Sequence, residues 1–217
     1  MKQEDTKKKI LEEALRLFSE NGYDSVSVGE IANAVGIKAP SLYCHYAGKQ
    51  AIFEAIIEEV SEKYERYTNN VDIHMRESKK DVSLFSGINE ELLIHKVHQI
   101  FEFSLHDDTI SRFRKMMTIE QFRTSQLSSL YTERYIDRMI EYHSAIFDAL
   151  IKAGEISNEN PEELALMYVS PIIILLGVCD REPWREEECI KKLEKHVKLF
   201  YHTFNIINRK SPDQNGG

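Results

Sequence analysis

Residues 28–46 read VGEIANAVGIKAPSLYCHY, and no other stretch limits the fold as tightly. Ser27 and Glu30 have the spacing of a capping box, which opens a short helix over Val28 to Val35. Gly36 stops it and supplies the positive φ that a tight turn between two helices needs. A second short helix follows over about Ala39 to Tyr46, with Pro40 tolerated in its first turn, and Gly48 breaks it. Ile31, Val35, Ile37 and Leu42 supply the apolar positions, and Ala32 is small where the helices cross. The second helix exposes Lys38, Ala39, Ser41, Cys44 and His45. Small side chains there let a helix enter a major groove closely, and Ala or Pro carbons can touch a thymine methyl. The pattern is a helix-turn-helix with its second helix in the reading position. An Ala-x-x-x-Gly turn alone occurs in many helical hairpins. The weight comes from the amphipathic helix before it, the capping box, and the aromatic–basic end Tyr43, His45, Tyr46 and Lys49.

The rest of the chain also reads with a helical period. Thr6 to Asn21 places Ile10, Leu11, Ala14, Leu15, Leu17 and Phe18 on one face, with Gly22 as its C-cap. A long helix is expected from about Lys49 to the late seventies, and a polar linker over Ser78 to Asn89. Further helices are expected over Glu90 to His106, Thr109 to Arg123 and Tyr131 to Ala153. Pro161 starts another, which carries the apolar run Leu164–Cys179 and which Pro171 should kink. Trp184 to Ile207 is the last. Only nine Gly and five Pro in 217 residues agree with long helices rather than a turn-rich β fold. The expected fold is all-α: a three-helix helix-turn-helix domain over 1–48, a helical effector-binding and dimerisation domain over 49–208, and a disordered tail over 209–217.

The formal net charge is −8, a poor balance for a generic nucleic-acid binder. Its distribution matters more. Residues 1–50 hold seven basic and seven acidic side chains, so the later residues carry the whole −8. A DNA-facing surface belongs in the neutral head, with the acidic body turned away from phosphates. Three scattered cysteines, Cys44, Cys179 and Cys189, make no disulfide framework and no C-x-x-C metal or redox motif. The charged start MKQEDTKKKI lacks a signal-peptide core, so a cytoplasmic protein is expected. Leu164–Cys179 falls short of the about 20 apolar residues of a membrane span. A helix apolar nearly all round must instead be buried on several faces. Its own domain covers one face. A second copy covers the other, giving a homodimer through residues 161–179 and 184–207 with two-fold symmetry; a purely intrachain core is the alternative.

The first fifty residues resemble the DNA-binding domain of TetR/AcrR-type transcriptional repressors. The likeness rests on Ile10-Leu11-x-x-Ala14-x-x-Leu17-Phe18, Gly22-Tyr23, Ser27-Val28-x-x-Ile31-Ala32, Val35-Gly36-Ile37 and Leu42-Tyr43-x-His45-Tyr46-x-x-Lys49. It implies that Tyr43, His45 and Lys49 touch phosphates, and that Ser27 stands at a helix start where backbone N–H groups meet one. It also implies that Lys38, Ala39, Pro40 and Ser41 approach bases. Tyr46 replaces a more frequent Phe and adds a hydroxyl that could reach the DNA backbone. Lys38 replaces a frequent Ser and adds a charge at the groove mouth. Cys44 is exposed on the same helix. The partner so implied is a palindromic double-stranded operator bound by a dimer, since two heads about 34–36 Å apart double the contacts of one. A ligand that spreads the heads would then release DNA.

For that effector, a small hydrophobic or aromatic molecule, the candidate lining is Phe101, Phe113, Met116, Met117, Phe122, Tyr135, Met139, Tyr142, His143 and Tyr168. Glu120 amid apolar residues would suit a cationic lipophilic one. Each of these residues could equally be plain core. His95, His98, Glu102 and His106 share one arc of a helix, opposite its apolar face, and read as solvated rather than metal-binding. No cofactor or metal is expected. No G-x-S-x-G, H-E-x-x-H, P-loop or Glu-x-x-His pair points to an enzyme. The alternatives to a ligand-responsive repressor are a DNA-organising or protein-partner-regulated DNA binder and, more remotely, a helical-bundle enzyme.

Overall fold

The structure is a computed structural model that describes residues 2–204; the tail expected over 209–217 lies outside the described residues. The helices are α1 (Lys2–Asn21), α2 (Val28–Val35), α3 (Ala39–Tyr43), α4 (Lys49–Asn70), α5 (Ser78–Phe85), α6 (Glu90–His106), α7 (Asp108–Glu120), α8 (Ser125–Thr132), α9 (Arg138–Lys152), α10 (Pro161–Arg181) and α11 (Glu186–Phe204). A π-helical turn, Glu133–Asp137, joins α8 to α9, and a 3₁₀ turn, Pro183–Arg185, precedes α11. The fold is all-α. Contacts group the chain into one unit of residues 1–66 with 106–131 and another of residues 67–105 with 132–217.

In the first unit, Ile10, Ala14 and Phe18 recur every four residues on α1 and are fully buried. That spacing makes a single apolar stripe. Ile31, Leu42, Ile52 and Ile56 complete this core, and Phe113, Met116 and Met117 of α7 are buried in the same unit. Asp107 caps α7, its side chain accepting from Ile110 N at 3.1 Å.

In the second unit, α9 packs against α5 and α10, and α10 against α11. Asn160 caps α10 by accepting from Glu162 N (2.9 Å) and Glu163 N (3.1 Å), and Pro161 occupies the first turn, where its missing N–H is harmless. The helix continues through Pro171, and the Ser170 hydroxyl donates to Leu166 O one turn back (2.6 Å). By length and composition alone α10 would suit a membrane span, with mean hydropathy 1.8 in its most apolar window. Its two sides differ. Leu164, Ala165, Tyr168, Val169, Leu175 and Cys179 are buried, while Leu166, Met167 and Ile174 are exposed, Ile174 at 62%.

Two expectations fail between residues 70 and 89. α4 stops at Asn70 instead of running into the late seventies. Asp72 takes a positive φ of 57°, Ile73 N returns to Thr68 O (2.8 Å), and the Lys96 ammonium donates to Val71 O (2.5 Å), which fixes the turn. The stretch read as a linker forms α5. Its polar residue Asp81 is buried, accepting from His74 N (2.6 Å), from the His74 ring (2.6 Å to Nδ1) and from the Tyr142 hydroxyl. These tertiary donors, not a local apolar period, hold the helix, so a reading by periodicity passes over it. The last helix begins at Glu186 rather than Trp184, and residues 205–207 lie outside the described residues.

Candidate nucleic-acid interface and effector cavity

The Ser27 capping box is complete. The Ser27 hydroxyl accepts from Glu30 N (3.2 Å), while Ser27 N donates to Glu30 Oε2 (2.7 Å). The Ser27 backbone N–H, and then its hydroxyl, donating to the Glu30 carboxylate hold that carboxyl below the usual carboxylate range. Gly36 follows α2 at φ 79°, and Ile37 N reaches back to Ala32 O at 2.9 Å, closing the turn. Leu42, buried, anchors α3 from below. Ser27, Lys38, Pro40, Ser41, Tyr43 and Cys44 are exposed, with Tyr43 at 55%. Ala39, His45, Tyr46 and Lys49 are half-buried.

Three of these side chains have internal company. The Lys49 ammonium donates to Tyr23 O (2.8 Å) and Asp24 O (3.3 Å) and lies 4.4 Å from the Tyr23 ring centroid. The Tyr46 ring has Lys7 Nζ at 6.0 Å, and burial raises the pKa of its hydroxyl. Cys44 Sγ sits 3.5 Å from Pro40 O. His45 Nδ1 is buried without a hydrogen-bond partner among the described residues.

The loop between α1 and α2 is also held from a distant part of the chain. Glu120, 0% exposed at the end of α7, accepts from Tyr23 N (3.0 Å) and pairs with Arg123 Nε (2.9 Å). Arg123 in turn reaches Asp24 (3.0 Å). Gly22, at φ 81°, brings its Cα so close that a Cβ there would stand 2.9 Å from Glu120 Oε1. The Glu120 carboxylate is thereby committed to positioning this loop rather than to meeting the cationic effector expected from the sequence. An acid flanked by Ile119 and Gln121 gives no local sign of a partner 97 residues away.

The residues expected to line one effector pocket are dispersed. Phe113, Met116 and Met117 are core of the first unit, and Phe122 is 87% exposed, on the turn after α7. Phe101 packs with Leu193 and Cys189, and Tyr142 binds Asp81. Met139 flanks the core of the second unit, and Tyr135 is half-buried on the π-helical turn. Only His143 and Tyr168 of that set line the cavity of about 60 Å³ found in the second unit. Its other walls include Ile146, Phe147, Leu150 and Phe200, none of which was singled out. Periodicity tells which face of a helix is buried, not what it is buried against.

Cys179 and Cys189, scattered along the sequence, are both buried in one core cluster with Leu193 and Phe101. Among the described residues no group of three His, Cys, Asp or Glu side chains is placed to hold a metal ion. His98 faces Glu194 of α11 (3.4 Å) rather than open solvent.

Residues 10–56 match the family model described as bacterial regulatory proteins, tetR family. IcaR of Staphylococcus aureus, a negative transcriptional regulator of the biofilm operon icaADBC, is 38% identical over 78 residues, 36% of this chain. That match spans 39% of IcaR's length. YttP of Bacillus subtilis is 28% identical over 205 residues, covering 92% of this chain and 88% of YttP. Among solved structures, the SmeT–triclosan complex aligns at TM-score 0.66 with 18% identity, covering 98% of each chain; SmeT is the repressor of the Stenotrophomonas maltophilia multidrug efflux pump SmeDEF. A TetR family transcription regulator from Marinobacter aquaeolei VT8 aligns at TM-score 0.59 with 20% identity, over 94% of this chain and 99% of that one. At those identities the structures speak for the fold. With the helix-turn-helix geometry of α2 and α3, residues 10–56 form a DNA-binding domain similar to that of the bacterial regulatory proteins of the tetR family.

Proposed function

We propose that this protein is a cytoplasmic transcriptional regulator, a ligand-responsive repressor that binds a palindromic operator as a homodimer. The observation that carries the reading is the α2–Gly36–α3 hairpin. It presents Lys38, Pro40, Ser41 and Tyr43 to solvent on one short helix whose underside is locked by buried Leu42. Exposed Ser41 and half-buried Ala39 are small enough to let that helix approach base edges, and Tyr43 and Lys38 are polar enough to meet the backbone.

The exposed apolar residues of α10 and α11 support the dimer. Leu166, Met167 and Ile174 on α10 and Leu199 on α11 stand outside the core, and Trp184 between the helices is 78% exposed. Large apolar side chains concentrated on two neighbouring helices mark an association surface, and an isologous two-fold contact would bury the same residues from both copies. His143, Tyr168 and the surrounding aromatic rings support a small apolar effector in the second unit. SmeT has been solved with triclosan, and a structural relative from Saccharomonospora viridis with choline. Those ligands differ in charge and shape, so the effector of this chain has to be read from its own cavity.

Selection of bound duplexes from a random pool, at two salt concentrations, tests the reading. An inverted repeat with steeply salt-dependent binding is expected. Tyr43→Ala should weaken all recovered sites alike, whereas Ser41→Ala should alter base preference at fixed positions. A pool that stays random after selection would overturn the proposal.

A further inference from the structure

The cavity of the second unit is lined by two residues, His143 and Tyr168, that each bring a polar atom with no hydrogen-bond partner among the described residues. His143 Nδ1 lies 2.8 Å from Met139 O. A carbonyl oxygen only accepts, so Nδ1 carries the hydrogen. Burial drives the imidazole pKa down to about 4, so the ring is neutral and Nε2 is a bare acceptor. Nε2 has no donor among the described residues. Tyr168, 4% exposed, lines the same cavity, and its hydroxyl has no hydrogen-bond partner among the described residues. Burial raises its pKa, which keeps it an O–H. The two rings stand 5.2 Å apart between centroids at 49°. Around them the wall is apolar, with Phe147 edge-on to Tyr168 at 5.8 Å and Phe200 at 4.9 Å. The carboxylate on the wall, Glu155, is occupied: it accepts from the Ser86 hydroxyl and from Gly87 N (2.9 Å).

His143 is half-buried and Tyr168 buried, and neither polar atom is among the sealed unpaired atoms of the described residues; both residues line the cavity, where an occupant can meet them. Their presence on one apolar cavity describes what would complete them. We propose that this cavity binds the hydroxyl-bearing end of an uncharged apolar molecule, whose O–H donates to His143 Nε2 and whose oxygen accepts from the Tyr168 hydroxyl. The inference rests on the reading of the second unit as an effector-binding body and names the effector's class. At about 60 Å³ the space is well under the roughly 150 Å³ that holds benzene in an engineered cavity, so it admits a short alkyl alcohol or the tip of a longer ligand. An ammonium is the poorer match, because the imidazole and the phenol are both uncharged and the Glu155 oxygens already accept from Ser86 and Gly87.

Ligand-observed NMR titration of the full chain with 1-butanol, methyl propyl ether and butylammonium tests this. The ether matches the alcohol in size but has no donor. One net hydrogen bond corresponds to about tenfold in affinity. The alcohol should bind about tenfold more tightly than the ether, and the ammonium should not bind. Tyr168→Phe, which keeps the ring, and His143→Leu should each bring the alcohol down towards the ether, with thermal melting showing that both variants remain folded. Alcohol and ether binding equally, as to a water-filled space, would overturn the proposal. So would absence of binding by either, or an alcohol affinity that neither substitution moves. Duplex binding measured on the same samples separates the two claims. Alcohol selectivity in a protein that ignores every duplex leaves the cavity assignment standing and removes the regulator; the converse leaves the regulator and removes the assignment.

Discussion

Gly22 and Gly36 have nearly the same backbone, φ 81° and 79°, yet their substitution should differ in cost. Alanine at Gly36 meets nothing within 4 Å. Its penalty is the left-handed conformation, about 1–2 kcal/mol, reduced by the entropy that alanine removes from the unfolded chain, about 0.4–1 kcal/mol. The net is about 1 kcal/mol. Alanine at Gly22 carries the same penalty and also brings Cβ to 2.9 Å from Glu120 Oε1. Glu120 is buried and held by Tyr23 N and Arg123, so its carboxylate cannot retreat without surrendering a hydrogen bond of a charged group. That adds about 1.5–3 kcal/mol, for a total of about 2.5–4 kcal/mol. Urea unfolding at fixed chain concentration, with m-values compared, reads both. The decisive arm is a double-mutant cycle. In a Glu120→Ala background, Gly22→Ala should cost no more than Gly36→Ala, about 1 kcal/mol. Equal costs for the two glycines in the wild-type background, or a Gly22→Ala cost that Glu120→Ala leaves unchanged, would refute the argument that Glu120 fixes this loop.

Other expectations follow from single groups. His143 is held neutral down to about pH 4, whereas the unfolded chain takes up this proton near its ordinary 6.5. The stability that results is complete above about 6.5, falls as pH drops through the interval, and is exhausted near 4; its size is on the order of 3 kcal/mol, less any hydration the cavity supplies. His143→Leu should flatten that part of the urea midpoint's pH profile, and a wild-type midpoint unchanged between pH 7 and 5 would contradict it. Asp81→Asn removes a buried charge that three donors converge on and should cost about 3 kcal/mol, with Tyr142→Phe costing about 1–2 kcal/mol; a loss under about 0.5 kcal/mol for Asp81→Asn, of the size expected of a surface change, would count against the network. The Cys179 thiol is pushed up to about 12, first by burial and then by Cys189, whereas Cys44 is exposed. Brief maleimide treatment of the native protein should therefore label Cys44 alone, and all three cysteines only in urea, as read by intact mass.

Much of the helix-turn-helix was legible because its signals are local. Ser27 and Glu30 are three residues apart, Gly36 is where the turn needs it, and Ile31 and Leu42 are apolar where the helices meet. The structure realises each within hydrogen-bonding distance along the chain. What was not legible depends on partners far away in sequence. α5 looks like a linker until Asp81 meets Tyr142, 61 residues on. Glu120 looks like a ligand contact until Tyr23 N is placed against it. The expected effector lining combines residues of two cores because Phe113 and Phe101 both sit on the buried faces of helices with different neighbours. Cys179 and Cys189 are ten positions apart, and only the reversal of direction between α10 and α11 brings them together.

Paired heads on one duplex are the heart of the proposed regulator, and the mass of the complex with the selected DNA reports on them directly. Sedimentation of the free protein should give twice the 25.3 kDa of one chain, and the complex with a full inverted repeat should hold two chains. A half-site duplex should bind far more weakly, since one head has only half the phosphate contacts. A single chain in solution that binds half-site and full repeat with equal affinity would defeat the proposal.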